Sequence, residues 1–191
     1  MAPNVRDTQR EWFERDGVAS LTALGFEPGQ RIIDFGCGPG RFTVPLSRIV
    51  HGDAGRVIAI DRSRDELEQL ERRLHACGQA SAVDARLIEN GDSLEAMAGD
   101  PADAVLAFDV LQYVKHWGRF FQAVRDALKP DGVLYIYPAA VPHPDLVDMD
   151  AVRAALADHD FVETACHRIR LPHANDMLED AVYLFRKQSH R

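Results

Sequence analysis

The sequence predicts a doubly wound α/β fold, in which a mostly parallel sheet is covered by helices on both faces. Three observations lead there. Short apolar runs without polar alternation suit strands buried on both sides, stripes of apolar residues at helical spacing lie between them, and the strand-then-helix alternation persists from Arg31 to Tyr137. In a chain of 191 residues with 46% hydrophobic content, this pattern fills one core and leaves no room for a second. The expected organisation is one domain over residues 1–191, with residues 1–30 as an N-terminal helical cap or lid and residues 31–191 as the core.

The N-terminal thirty residues carry one amphipathic helix with Trp12, Phe13, Leu21 and Leu24. Ile32, Ile33 and Phe35 then form a first strand that runs into Gly36-Cys37-Gly38-Pro39-Gly40. Gly36, Gly38 and Gly40 keep this turn bare where a ligand must approach the backbone, and the next helix points its free N–H groups at the same spot. Arg56–Asp61 is a second apolar strand that ends in an acid followed by Arg62; a carboxylate at a strand's carboxyl end can accept both hydroxyls of a ribose. Ser63-Arg64-Asp65-Glu66 is a capping box, and Leu67, Leu70 and Leu74 continue its helix until Gly78 stops it.

A third strand, Asp84–Glu89, leads into Asn90-Gly91-Asp92-Ser93. Asp92 there suits the N-cap of a short helix over Ser93–Met97. Asp103–Phe108 is the fourth strand, followed by Asp109-Val110-Leu111-Gln112-Tyr113-Val114. Trp117, Phe120, Phe121, Val124 and Leu128 mark the buried stripe of an amphipathic helix, and Lys129-Pro130-Asp131-Gly132 ends it before a fifth strand, Val133–Tyr137. Beyond the proline-rich loop Pro138–Pro144, Val152, Ala155 and Leu156 suggest a further helix. Phe161–Leu171 and Ala181–Arg186 read as two strands joined by a polar loop.

Two cofactor classes compete for the glycine loop. A dinucleotide fingerprint needs a third glycine at the position held here by Arg41. The pattern Asp34-x-Gly36-x-Gly38-x-Gly40 instead resembles the first motif of the class I S-adenosylmethionine-dependent methyltransferases, as do the strand-end acid Asp61 and the run Leu128–Ile136, which is similar to that family's "LKPGG" signature. The resemblance spans about Arg31 to Lys187 and lies nearest the quinone-methylating, small-molecule branch. It implies a Rossmann-like sheet of seven strands with one antiparallel strand near the C-terminus, and S-adenosylmethionine as the cofactor.

The same resemblance implies the site. Gly36, Cys37, Gly38 and Gly40 would receive the methionine half of the cofactor, with the Cys37 carbonyl offered to its amino group. Asp61 would meet the ribose and Asp92 the adenine amino group, with Arg62, Gly91 and Ser93 also in the cofactor site and Phe108 beside the methionine portion. The family often has "VLHHL" where this chain reads Val110-Leu111-Gln112-Tyr113-Val114; Tyr113 and His116 are then the nearest groups able to orient or deprotonate a nucleophile, with His143 as an outside candidate. Two readings stay open beside catalysis of methyl transfer: a cofactor-binding sensor or partner subunit, and a nicotinamide oxidoreductase.

Composition narrows the partners. A formal net charge of −8 argues against a broad electrostatic footprint for nucleic acid or an anionic membrane. Neither the "DPPY" motif of amino-group methylation nor a Pro-Cys nucleophile follows the fourth strand, so a small molecule is the expected acceptor. Three widely spaced cysteines and eight histidines form no disulfide or metal pattern, and no catalytic metal is expected. The charged N-terminal residues lack the apolar core of a signal peptide, which makes the cytoplasm the expected location.

Overall fold

The computed structural model describes residues 10–52, 54–89, 94, 99–138, 147–173 and 176–188. A π-helical stretch, Trp12–Asp16, opens into α1 (Gly17–Ala23). Then follow β1 (Arg31–Phe35), α2 (Thr43–Val50), β2 (Arg56–Asp61), α3 (Arg64–Ala76), β3 (Val83–Leu87) and β4 (Ala102–Phe108). The second half holds α4 (Trp117–Ala127), β5 (Leu128–Tyr137), α5 (Met149–Ala157), β6 (Phe161–His173) and β7 (Asp176–Lys187).

The seven strands form one sheet in the order β3-β2-β1-β4-β5-β7-β6. β1 pairs in parallel with both β2 and β4, whereas β7 runs antiparallel to β5 and to β6. Val57, Ile58, Ala59 and Ile60 are all buried, as the unbroken apolar run requires of a strand covered on both faces. One core layer unites Trp12, Leu21 and Phe26 with α2 and α3. The layer on the opposite face holds α4 and α5, including Phe121, Val124 and Leu156. Successive strands leave β1 first towards β2 and β3, then on its other flank towards β4. Such a reversal opens a crevice at the carboxyl ends of the strands.

Local chemistry fixes the helix ends. The Ser63 hydroxyl accepts the Glu66 N–H at 3.3 Å, and Gly78, at φ +71°, lets the Gln79 N–H return to the Leu74 carbonyl, the six-to-one bond of a Schellman end. Two expectations changed. The turn Lys129-Pro130-Asp131-Gly132 lies inside β5, as an irregular stretch between the pairs Ala102↔Leu128 and Ala104↔Val133. The segment read as a polar loop between the last two strands is instead mostly strand, with Arg168↔Ala181 and Leu171↔Leu178 in register. Only Val133–Ile136 of β5 pairs with β7. The remainder of this hairpin therefore overhangs the carboxyl edge of the sheet, and its own Leu171 and Val182 are fully buried.

The N-terminal helix is part of the core. Trp12, Leu21 and Leu24 are buried, α1 packs on α2 and touches β6, and the Trp12 Nε1–H donates to the Arg41 carbonyl at 2.7 Å. A Cβ on Gly17 would come within 2.7 Å of the Trp12 carbonyl, so this close turn demands glycine. A second tie lies under β1, where the Thr43 hydroxyl donates to the buried Asp34 carboxyl at 2.6 Å. Burial pushes the Asp34 carboxyl up to about 6, against the pull of the Thr43 bond and with added repulsion from Asp61.

Two outcomes are expected. Trp12→Ala should cost about 3–5 kcal/mol, because it empties an aromatic core site and strands the Arg41 carbonyl; urea unfolding measures it. For Asp34 the folded chain holds its proton more tightly than the unfolded chain does, so stability falls as pH rises from about 4 to about 6 and is level above that. Asp34→Asn should remove a loss on the order of 3 kcal/mol. Its stability advantage over wild type should therefore grow between pH 4 and pH 7, and an unchanged difference would count against a charged Asp34 in the folded state.

Candidate active site

The glycine loop begins as an extension of the ladder between β1 and β2. Both the Gly36 and Cys37 N–H groups donate to the Ile60 carbonyl, at 2.8 and 3.1 Å. Gly36, Gly38 and Gly40 have φ of +72°, +51° and +86°, yet they serve different ends. A Cβ at Gly36 would collide with Val110, and one at Gly40 with Leu70. At Gly38 it would meet nothing within 4 Å, so this position alone presents bare backbone to open space. Cys37 turns its side chain into the core, where burial pushes the thiol far up, with Asp34 and Asp61 adding to it. Its carbonyl already accepts the Gly40 N–H at 3.0 Å.

Asp61 holds the centre. Its Oδ2 accepts the Gly38 N–H and its Oδ1 the Ser63 N–H, each at 2.8 Å. The capping box is thus shared: Ser63 caps Glu66, while Asp61 rather than Glu66 satisfies the Ser63 N–H. Each carboxylate oxygen keeps a further lone pair for a ligand hydroxyl.

These groups open on a cleft of about 670 Å³ at the switch point, within the usual range for a small-molecule site. Its walls include Gly36, Gly38, Asp61, Arg62, Asp109 and Tyr113. The two lips meet where the Arg62 guanidinium stacks over the Tyr113 ring, 5.7 Å from its centroid. On the β4 side, the Trp117 Nε1–H donates to the Leu111 carbonyl at 3.2 Å and steadies the short turn Leu111–Tyr113.

Of the residues singled out from sequence, the cleft gathers Gly36, Gly38, Asp61, Arg62 and Tyr113. Phe108 is elsewhere: it is buried with its ring edge-on to Phe42 and Tyr137. His116 is an exposed residue at the start of α4 and makes no side-chain cap there. Gly91, Asp92, Ser93 and His143 lie outside the described residues. Sequence reasoning missed Ser63 and Glu66 as cleft residues, although the shared cap beside a strand-end acid was a readable sign. It also missed Asp109, whose φ of +53° no pattern of apolar residues announces. Among the described residues no group of three or more His, Cys, Asp or Glu side chains could hold a metal ion, and no helix is long and apolar enough to cross a membrane.

Residues 6–182 match the family described as the methyltransferase domain. The ubiquinone biosynthesis O-methyltransferase of Bradyrhizobium diazoefficiens is 34% identical over 134 residues, which cover 69% of this chain and 47% of that protein. The chain spans about half the length of the curated relatives it matches first. A S-adenosylmethionine-dependent methyltransferase from Aquifex aeolicus superposes with a TM-score of 0.70 at 17% identity, covering 95% of both chains. An O-methyltransferase from Thermotoga maritima gives 0.67 at 18% identity, covering all of this chain and 74% of the other. These two likenesses carry the fold. With the family match running over residues 6–182 and the sheet superposing on these folds, the chain belongs to the methyltransferase family and has the class I form of its domain.

Proposed function

We propose that this chain transfers a methyl group from S-adenosylmethionine to an oxygen of a small-molecule acceptor. The observation that carries this reading is the pairing of Gly38 and Asp61 at the switch point: bare backbone facing open space, beside a carboxylate with lone pairs to spare for a ribose. The residues fit the cofactor. Gly38 would leave room for its methionine half, Asp61 would accept the ribose hydroxyls, and Asp92, with Gly91 and Ser93 beside it in sequence, would receive the adenine. The Cys37 carbonyl remains the proposed partner of the cofactor's amino group.

S-adenosylmethionine supplies a methyl group already activated by a positive sulfur. The protein's work is then to position the acceptor and exclude water, and proximity alone can supply roughly 7–11 kcal/mol. Tyr113, at the cleft mouth beneath Arg62, is the proposed orienting group for the acceptor. His116 is a weaker choice because it is not on the cleft wall. The name of the Bradyrhizobium relative supports an oxygen nucleophile. The acidic surface supports a small acceptor over nucleic acid, and the three free thiols fit a reducing, cytoplasmic setting.

S-adenosylmethionine and S-adenosylhomocysteine, each near 100 times its Kd, should add ~2.7 kcal/mol of stability in a thermal-shift panel, and NAD and NADP nothing. Stabilisation by NAD alone would favour the oxidoreductase reading. Asp61→Ala should weaken cofactor binding by ~1.5–3 kcal/mol in calorimetry. It should also lower ligand-free stability by ~1–3 kcal/mol, since two loop N–H groups lose their acceptor. Gly38→Val should abolish binding, as a branched side chain resists φ +51° and fills the open space; an unchanged Kd would remove the loop from the site.

A further inference from the structure

Asp109 closes β4 in a left-handed backbone, φ +53°, a conformation most side chains avoid and aspartate tolerates better than most. Such outliers persist only where the surroundings fix them, and they cluster at functional sites. Here the fixing is visible. The Asp109 N–H donates to the Tyr137 carbonyl at 2.8 Å, and the Gln112 Nε2 donates both to the Asp109 carbonyl at 3.0 Å and to its Oδ1 at 2.8 Å. The opposite orientation of that amide would set Oε1 against two oxygens, so its direction is determined. Gln112 Oε1 is left buried without a partner among the described residues, the cost of holding Asp109.

The place held is on the cleft wall. Asp109 and Val110 line it beside Gly36, and Val110 packs against the Gly36 backbone, so the β4 lip lies on the start of the glycine loop. Behind this lip are two more buried oxygens without partners among the described residues, the Tyr137 hydroxyl and Asp180 Oδ2. Burial pushes the Tyr137 hydroxyl up, and the Asp180 and Asp109 carboxylates add to it. On the cleft wall itself Asp109 supplies a carboxylate acceptor, which suits a molecule that brings a hydrogen-bond donor.

We propose that Asp109 is the residue that receives the methyl acceptor, taking first the hydrogen bond and then the proton of its hydroxyl, with Gln112 as the positioning residue that aims the carboxylate. The proposal rests on the methyl-transfer reading. In the step the acceptor oxygen bonds to the methyl carbon, the carbon–sulfur bond breaks and leaves its electron pair on sulfur, and Asp109 keeps the proton. An acceptor with a protic oxygen follows, rather than one methylated at a thioether or at a carbon without an acidic hydrogen.

The test uses the full chain and two probes in calorimetry: S-adenosylhomocysteine, and sinefungin, in which an amine-bearing carbon replaces the methyl-bearing sulfur. A carboxylate aimed at the methyl position should favour the ammonium of sinefungin by about tenfold or more, one well-placed ion pair's worth. Asp109→Asn and Asp109→Gly should reduce that ratio to about 1. Gln112→Leu should lower it severalfold in the wild-type background and have no effect in Asp109→Asn, the coupling expected of a positioning residue. Asp109→Gly should also melt no lower than wild type, because glycine takes this φ without strain. An unchanged sinefungin preference in both Asp109 variants would overturn the proposal while leaving the cofactor reading intact. Failure of both probes to bind wild type would overturn the cofactor reading and the proposal together.

Discussion

The site hangs on one carboxylate. Asp61 ends β2 with its side chain turned across to β1, where one oxygen takes the Gly38 N–H and the other takes the Ser63 N–H. The first bond sets how far the glycine loop stands from the second strand. The second fixes the start of α3, whose Leu70 leaves no space for a side chain at Gly40. Loop, strand end and helix are thereby joined through a single group, and charge-assisted bonds from backbone N–H groups are among the stronger ones a protein forms. The same carboxylate repels the buried Asp34, so the geometry that shapes the cleft also bears on the protonation of the strand beneath it.

Much of this arrangement was legible in the sequence because it depends on local rules. An unbroken apolar run, a glycine triplet and a strand-end acid define β1, β2 and the crevice between them, and Arg56–Asp61 appears with the bounds read from sequence. What was not legible depends on partners distant in the chain. Phe108 looked like a cleft residue from its place at the end of β4, but its ring lies on the face shared with Phe42 and Tyr137, and side-chain alternation along a strand cannot name the face that meets a ligand. The segment between Leu171 and Ala181 looked like a polar loop, yet Leu178, Glu179 and Asp180 pair as strand with Leu171, Arg170 and Ile169, and Pro172 with Met177. A two-stranded overhang needs apolar residues on only one of its faces. Asp109 carried no sequence sign beyond aspartate's ease in left-handed turns.

The N-terminal segment changes the picture of what closes the cleft. Expected as a cover, its described part is wedged into the core through Trp12, Leu21 and Leu24, while Arg73 reaches from α3 to stack over Phe13 and to donate to the Pro39 carbonyl at 2.7 Å. It acts as a brace behind the glycine loop. The β6–β7 hairpin passes the ends of the parallel strands and touches α1. Both are held by buried contacts, so the carboxyl edge of the sheet is framed by rigid elements.

The chain has two tryptophans, and each indole is bonded to a different lip: Trp12 to the Arg41 carbonyl of the glycine loop, Trp117 to the Leu111 carbonyl beside Tyr113. Indole emission follows the polarity and hydrogen bonding around the ring, so the protein carries an optical gauge on either side of its crevice. With one tryptophan changed to phenylalanine, the other becomes a single-colour reporter of its own lip. The order in which the loop side and the β4 side respond to a ligand can then be timed in unlabelled protein.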